Sequence, residues 1–196
     1  FTVVSKPSEL SCKPDVIIDF SHPSALNGLL DYAKTNGVAL VLASTGYSDE
    51  ETAKIKSAAS EIPIFFTANM SIGINLMREL AKKAVSVLGD QYDVEIIEKH
   101  HNQKLDAPSG TALALADSMK EVLDDDYFYR YDRSQLRQKR DPKEIGISAV
   151  RGGTIVGEHE VIFAGEDEVI EFKHTAHSKA VFAKGAVEGA KFVAGK

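Results

Sequence analysis

The apolar positions change period along the chain, and the changes mark its elements. Val16-Ile17-Ile18 and the run Val38 to Ala43 have no polar alternation, the pattern of strands buried on both faces. Between them Leu26, Leu29, Leu30 and Ala33 recur at helical spacing from Ser24 to Asn36, with Pro23 suited to a first turn and Gly37 to a stop. Ser48 and Glu51 form a capping box that opens a helix through Ser60, and Ile64-Phe65-Phe66 supplies a third strand. Strand, helix, strand, helix, strand with short loops predicts a parallel sheet with right-handed crossovers. The loops at its carboxyl edge, Asp19–Pro23, Ser44–Tyr47 and Thr67–Ser71, are where a ligand of such a sheet binds.

From Ile72 the pattern is different. A long helix is predicted to Leu88, then a strand from Val94 to Glu98 and a polar loop. After Pro108, Ala112, Leu115, Ala116, Met119, Val122 and Leu123 form a stripe at i, i+3/i+4 spacing, an amphipathic helix. Asp124 to Lys143 is charged and mixed and reads as an irregular excursion. Three β segments follow, Ile145–Val150, Ile155–Ala164 and Val169–Thr175. Arg151-Gly152-Gly153 and Gly165-Glu166-Asp167 are read as tight turns between them, which implies antiparallel pairing. Ala180 to Val193 closes the chain as a helix. The predicted class is α/β, a partial Rossmann-type parallel sheet plus an α+β domain with a mostly antiparallel sheet. Residues 1–71 and 180–196 are expected to form a first domain, the remnant of a dinucleotide-binding domain, and residues 72–179 a second.

Composition narrows the partners. With 196 residues, 43% hydrophobic and 27% charged, the chain is an ordinary globular mixture. A net charge of −6 without a basic cluster excludes nucleic acid as a general partner. The single cysteine, Cys12, rules out an intrachain disulfide and a thiolate metal cluster. No apolar run approaches the roughly 20 residues that span a bilayer, so no membrane association is expected and the cytoplasm is the expected location.

The chemistry concentrates in Glu98-Lys99-His100-His101-Asn102-Gln103-Lys104-Leu105-Asp106-Ala107-Pro108-Ser109-Gly110-Thr111-Ala112. An unperturbed imidazole titrates at about 6.5, so His100 and His101 can exchange protons near neutral pH. Lys104 adds a fixed cation. Ser109-Gly110-Thr111 opens a helix, where backbone N–H groups and the helix dipole favour an anion. Together these suit a small carboxylate undergoing proton-coupled chemistry. Asp106 reads as a brace for Lys104. His22, His159, His174 and His177 raise a metal hypothesis, but they lack the spacing of a metal-ligand motif, and strand alternation accounts for His159; no metal is expected.

This loop resembles the signature of the dihydrodipicolinate reductase family. Asp19-Phe20-Ser21, Ser44-Thr45-Gly46-Tyr47, Ala68-Asn69-Met70-Ser71-Ile72-Gly73 and Val156-Gly157-Glu158-His159 agree with that family in order and spacing. The resemblance implies an enzyme that uses NADPH or NADH to reduce a cyclic imine dicarboxylate, 4-hydroxy-tetrahydrodipicolinate, in lysine and diaminopimelate biosynthesis. It implies His100 and Lys104 as catalytic groups and His101, Ser109, Gly110 and Thr111 as substrate contacts. Ser44, Thr45, Gly46, Ala68, Asn69 and Met70 would meet the cofactor, Ser44 standing where the family usually has glycine. It further implies that residues 72–179 are the substrate-binding and oligomerisation domain, with a homotetramer built through its sheet. Because such a reaction needs water excluded, hinge closure is expected near Asn69–Gly73 and Ser178–Ala180. The family begins with a glycine-rich strand–loop–helix, whereas no G-x-G-x-x-G occurs here, so the chain is expected to be part of a longer protein. The alternatives are a dicarboxylate-binding protein without a cofactor site, and another amino-acid-pathway dehydrogenase. Metal-dependent hydrolysis would require activity that chelators abolish.

Overall fold

The structure is a computed structural model and describes residues 2–67 and 69–196. In chain order its principal elements are β1 (Val16–Asp19), α1 (Leu26–Asn36), β2 (Ala39–Leu42), α2 (Asp49–Ala58), β3 (Ile64–Phe66) and α3 (Ile72–Leu88). There follow β4 (Asp93–His100), α4 (Gly110–Lys120), β5 (Phe128–Arg130), β6 (Glu144–Arg151), β7 (Gly157–Ala164), β8 (Val169–Ala176) and α5 (Ala180–Val193). The chain divides into two compact units, Phe1–Met70 with Phe182–Lys196, and Ser71–Val181.

In the first unit β1, β2 and β3 form a parallel sheet in that order, with Val16 opposite Ala39 and Leu40 opposite Ile64. Alternation along β2 sends Leu40 and Leu42 toward Leu26, Leu30 and Ala33 of α1 and Ile55 of α2. Ala39 and Val41 meet Ala186 and Val193 of α5 on the other face. Covered on both sides, β2 is wholly buried, as its unbroken apolar run predicts. β1 departs from the expectation: Val16 and Ile17 are half-buried and Ile18 is exposed, because β1 is an outer strand of this sheet. The Ser48–Glu51 capping box is present with both bonds, and α1 ends at Gly37 in the left-handed conformation (φ 58°).

The second unit is a five-stranded sheet, β5-β6-β4-β7-β8, with α3 and α4 packed on one face. Val94 and Ile96 of β4, Ile145 and Ile147 of β6, and Val161 and Phe163 of β7 meet Ile74, Met77, Ala81 and Val85 of α3 and Leu115, Ala116 and Met119 of α4. The sheet is mixed: β5–β6 and β6–β4 are parallel, β4–β7 and β7–β8 antiparallel. The hairpin expected across Gly165-Glu166-Asp167 forms, whereas the one expected across Arg151-Gly152-Gly153 does not, because β4 lies between β6 and β7. Gly152 N–H instead donates to His100 O (2.9 Å) and Asn102 N–H to Gly153 O (3.2 Å), carrying the parallel ladder into the polar loop. Two further differences concern α4 and its sequel. The helix ends at Lys120, leaving Val122 exposed, and the expected excursion contains β5. Tyr127, buried in the core, and Tyr129, bonded to Asp117 of α4 (2.5 Å), fasten that strand.

Candidate active site

Strand alternation decides which groups reach the helix-covered face of the second unit. On β4 the inward positions read Val94, Ile96, Glu98, His100, and on β7 Phe163, Val161, His159, Gly157. Ile96 lies opposite Val161, and Val161 opposite Phe172; the next row is Glu98, His159 and His174. The apolar sheet therefore turns polar one row from its end. There the loop of residues 101–109 brings α4 in, with its Ala107–Pro108 bond cis.

Glu98 is fully buried, and four donors share its carboxylate. Arg151 grips it bidentately, with Nη1 2.7 Å from Oε2 and Nη2 2.6 Å from Oε1. Ser109 N–H donates to Oε1 at 3.0 Å, and His100 Nδ1 lies 2.5 Å from Oε2. Burial pushes this carboxyl up, but the bonds from His100, Arg151 and Ser109 outweigh it and hold the pKa at about 2. Arg151 also donates to Asp106 O (2.7 Å), anchoring the loop, while the Asp106 carboxylate braces Lys104 (2.7 Å). Burial works against Asp106, and the Lys104 ammonium overcomes it, drawing that carboxyl below its ordinary range.

Ser109 binds these parts together. Its hydroxyl caps α4 by accepting from Ala112 N–H (3.2 Å) and lies 3.0 Å from His159 Nε2. His159 is nearly fully buried, and burial, reinforced by the nearby His100, lowers its pKa to about 4. It is thus neutral at pH 7 and can accept the Ser109 O–H. Its ring stands edge-on to that of His100, centroids 5.1 Å apart. Gly110 and Thr111 follow the cap, before the first α-helical bond from Leu113 N–H to Ser109 O (3.1 Å). A Cβ at Gly110 would meet no described atom within 4 Å beyond its chain neighbours and its own helix backbone, so this glycine borders open space. His100, Lys104, Ser109, Gly110 and Thr111 thus belong to one corner of the unit. Ser109, expected at the substrate, is buried with its N–H and hydroxyl engaged. Sequence reasoning missed Glu98, Arg151 and the use made of His159; a charged residue on the inward phase of β4 was the available signal.

In the first unit, Ser44, Thr45 and Gly46 leave the carboxyl end of β2. Ser44 is buried and donates its hydroxyl to Asp19 Oδ2 (2.8 Å), a carboxylate that also takes Ser21 N–H (3.0 Å) and Tyr47 O–H (3.3 Å). Thr45 and Gly46 are exposed, Gly46 in a left-handed turn (φ 85°) with nothing within 4 Å of a would-be Cβ. Asn69 is half-buried, Met70 is buried, and Ala68 lies outside the described residues. Among the described residues no group of three or more potential ligands could hold a metal ion.

Comparison with known proteins identifies the family of the chain. Residues 1–70 match the family model described as dihydrodipicolinate reductase, N-terminus, and residues 73–196 the one described as dihydrodipicolinate reductase, C-terminus. The 4-hydroxy-tetrahydrodipicolinate reductase of Clostridium novyi (strain NT) is 50% identical over 196 residues, 100% of this chain and 77% of that protein. Its counterpart in Caldanaerobacter subterraneus subsp. tengcongensis is also 50% identical, over 100% of this chain and 78% of its own length. A solved structure of dipicolinate-bound dihydrodipicolinate reductase from Paenisporosarcina sp. TG-14 superposes with a TM-score of 0.73 at 28% identity, covering 92% of this chain and 69% of that one. GenD2 from gentamicin A biosynthesis, 11% identical with a TM-score of 0.55, shares the fold alone. Matched by both family models and by relatives at half identity along its whole length, the chain belongs to the dihydrodipicolinate reductase family.

Proposed function

We propose that the chain carries out this family's reaction, the reduction of 4-hydroxy-tetrahydrodipicolinate to tetrahydrodipicolinate in lysine and diaminopimelate biosynthesis, at the corner built around Ser109. The observation that carries the assignment is the double tie of Ser109, by its N–H to Glu98 and by its hydroxyl to His159, which fixes an open helix N-terminus beside His100. Gly110 and Thr111 would receive one carboxylate, where N–H dipoles favour an anion. Lys104, released from Asp106, and His101 would take the other, and His100 would hold or return a proton at Nε2. Ser109 is assigned a supporting part, because its polar groups are already engaged.

The residues at the carboxyl edge of the first sheet fit a nicotinamide dinucleotide. The open backbone at Thr45–Gly46 permits close approach of a ligand, while Ser44 and Met70, being buried, would contribute through their backbone. Asn69 adds a polar side chain. NADPH or NADH, when bound, supplies the hydride. We further assign a homotetramer formed through the sheet face opposite α3 and α4, where Ile97, Val150, Ile162 and Val169 lie among Lys99, Glu158 and Lys173. Cytoplasmic location accords with the family's biosynthetic role; among the described residues no helix is long and apolar enough to cross a membrane.

Calorimetric titration with pyridine-2,6-dicarboxylate tests the substrate corner. Lys104→Ala is expected to weaken saturable binding by about 1.5–3 kcal/mol, the worth of a charged hydrogen bond. Equal binding by both proteins would contradict the assignment.

A further inference from the structure

We propose that Glu98 is a positioning residue that fixes the tautomer of His100, holding a proton on Nδ1 so that Nε2 is the atom presented to substrate, with Arg151 as the group that keeps Glu98 in place. The inference rests on the reading of His100 as the proton-handling group and deepens it.

The geometry carries the argument. Glu98 Oε2 lies 2.5 Å from His100 Nδ1, so an ionised carboxylate there can only accept and the ring nitrogen must donate. The carboxylate is kept ionised by the bidentate Arg151 and the Ser109 N–H, and its position is fixed from three directions. Its pKa of about 2 accords with that state. With Nδ1 carrying the proton, neutral His100 has its lone pair on Nε2. That nitrogen faces Gly157 of β7: a Cβ built there would stand 3.1 Å away, so glycine leaves room beside the nitrogen. Nε2 can then take up a proton and return it while Nδ1–H stays on Glu98. Arg151, as the counter-charge, allows a carboxylate to be buried here without drawing its charge balance from His100.

The test is the tautomer itself. Protein labelled with ¹⁵N-histidine gives long-range ¹⁵N–¹H spectra at about pH 8, where ordinary imidazoles are neutral. His100 is assigned by its absence in His100→Gln. Wild type is expected to show a protonated Nδ1 and a bare Nε2. In Glu98→Gln the Nε2–H form, which free imidazole side chains prefer, is expected to appear. Glu98→Asp keeps a charge for Arg151 while withdrawing it from the ring, and serves where Glu98→Gln fails to fold; it is expected to give a mixture. An Nε2–H tautomer in wild type, or an unchanged tautomer in a folded variant, would overturn the proposal. Pyridine-2,6-dicarboxylate is titrated into the same wild-type sample: failure to bind overturns the substrate reading on which the proposal rests, and is seen separately from the tautomer.

Discussion

Ser71 and Ser109 begin α3 and α4 with the same device. Each hydroxyl accepts the N–H three residues on, from Ile74 at 3.3 Å and from Ala112 at 3.2 Å. Each also meets a histidine of the sheet, His174 at 3.3 Å and His159 at 3.0 Å, and those histidines are cross-strand partners. What lies over the first turn differs. At α3 the imidazole of His174 fills the space, so that a side chain at Gly73 would come within 2.8 Å of it, and the exposed Ile72 is apolar. At α4 the space over Gly110 is open, and Lys104, Glu98, Arg151 and His100 belong to the same corner. A capped helix N-terminus is therefore a general structural solution. In the proposed function it becomes a binding site where space is left beside the glycine of the first turn and charged groups are built around it.

The largest effect expected from breaking this contrast is on stability. Arg151→Met strands a buried carboxylate on the α4 side and should cost about 3–5 kcal/mol in urea unfolding at neutral pH. A loss below about 1 kcal/mol, the level of an exposed ion pair, would mean that Glu98 does not depend on it. Next comes acid sensitivity. The unfolded chain's imidazole binds a proton below about 6.5, whereas His159 does so only near 4, so stability should fall as pH drops through that window. The full effect is about 3 kcal/mol for such a shift. Glu98 continues the loss from 4.5 down to about 2, because the unfolded carboxylate takes up its proton first. His159→Gln should flatten the upper part of an unfolding-versus-pH curve and leave the lower part. Smallest is the pair of cap removals. Ser71→Ala and Ser109→Ala should each cost about 0.5–2 kcal/mol, but only Ser109→Ala should also weaken pyridine-2,6-dicarboxylate in calorimetry. Equal effects on that ligand would erase the distinction between the two helices.

Much of this was legible in the chain because local patterns and tertiary packing agree. The apolar run of β2, the Ser48–Glu51 box and the stripe on α4 all name elements whose surroundings then cover them. Local signals do not encode which strands become neighbours. Arg151-Gly152-Gly153 has the composition of a hairpin turn, yet β4, contributed from much earlier in the chain, takes the place beside β7. That insertion is what brings Arg151 opposite His100 and within reach of Glu98. The signature loop was readable because its residue types are unusual together. Glu98 carries no role in that reading and His159 only a metal hypothesis that strand alternation dismisses, since each looks like one more step in a strand until the helix with Ser109 is laid over them.

The central claim is that the first turn of α4 receives a carboxylate and the first turn of α3 does not. It is tested most directly by backbone amide ¹⁵N–¹H spectra of the chain during titration with pyridine-2,6-dicarboxylate. The largest saturable shifts are expected at Gly110 and Thr111, with Ile72 and Gly73 unmoved. Saturable shifts centred on Ile72 and Gly73, or absent from Gly110 and Thr111 while the ligand binds, would contradict it.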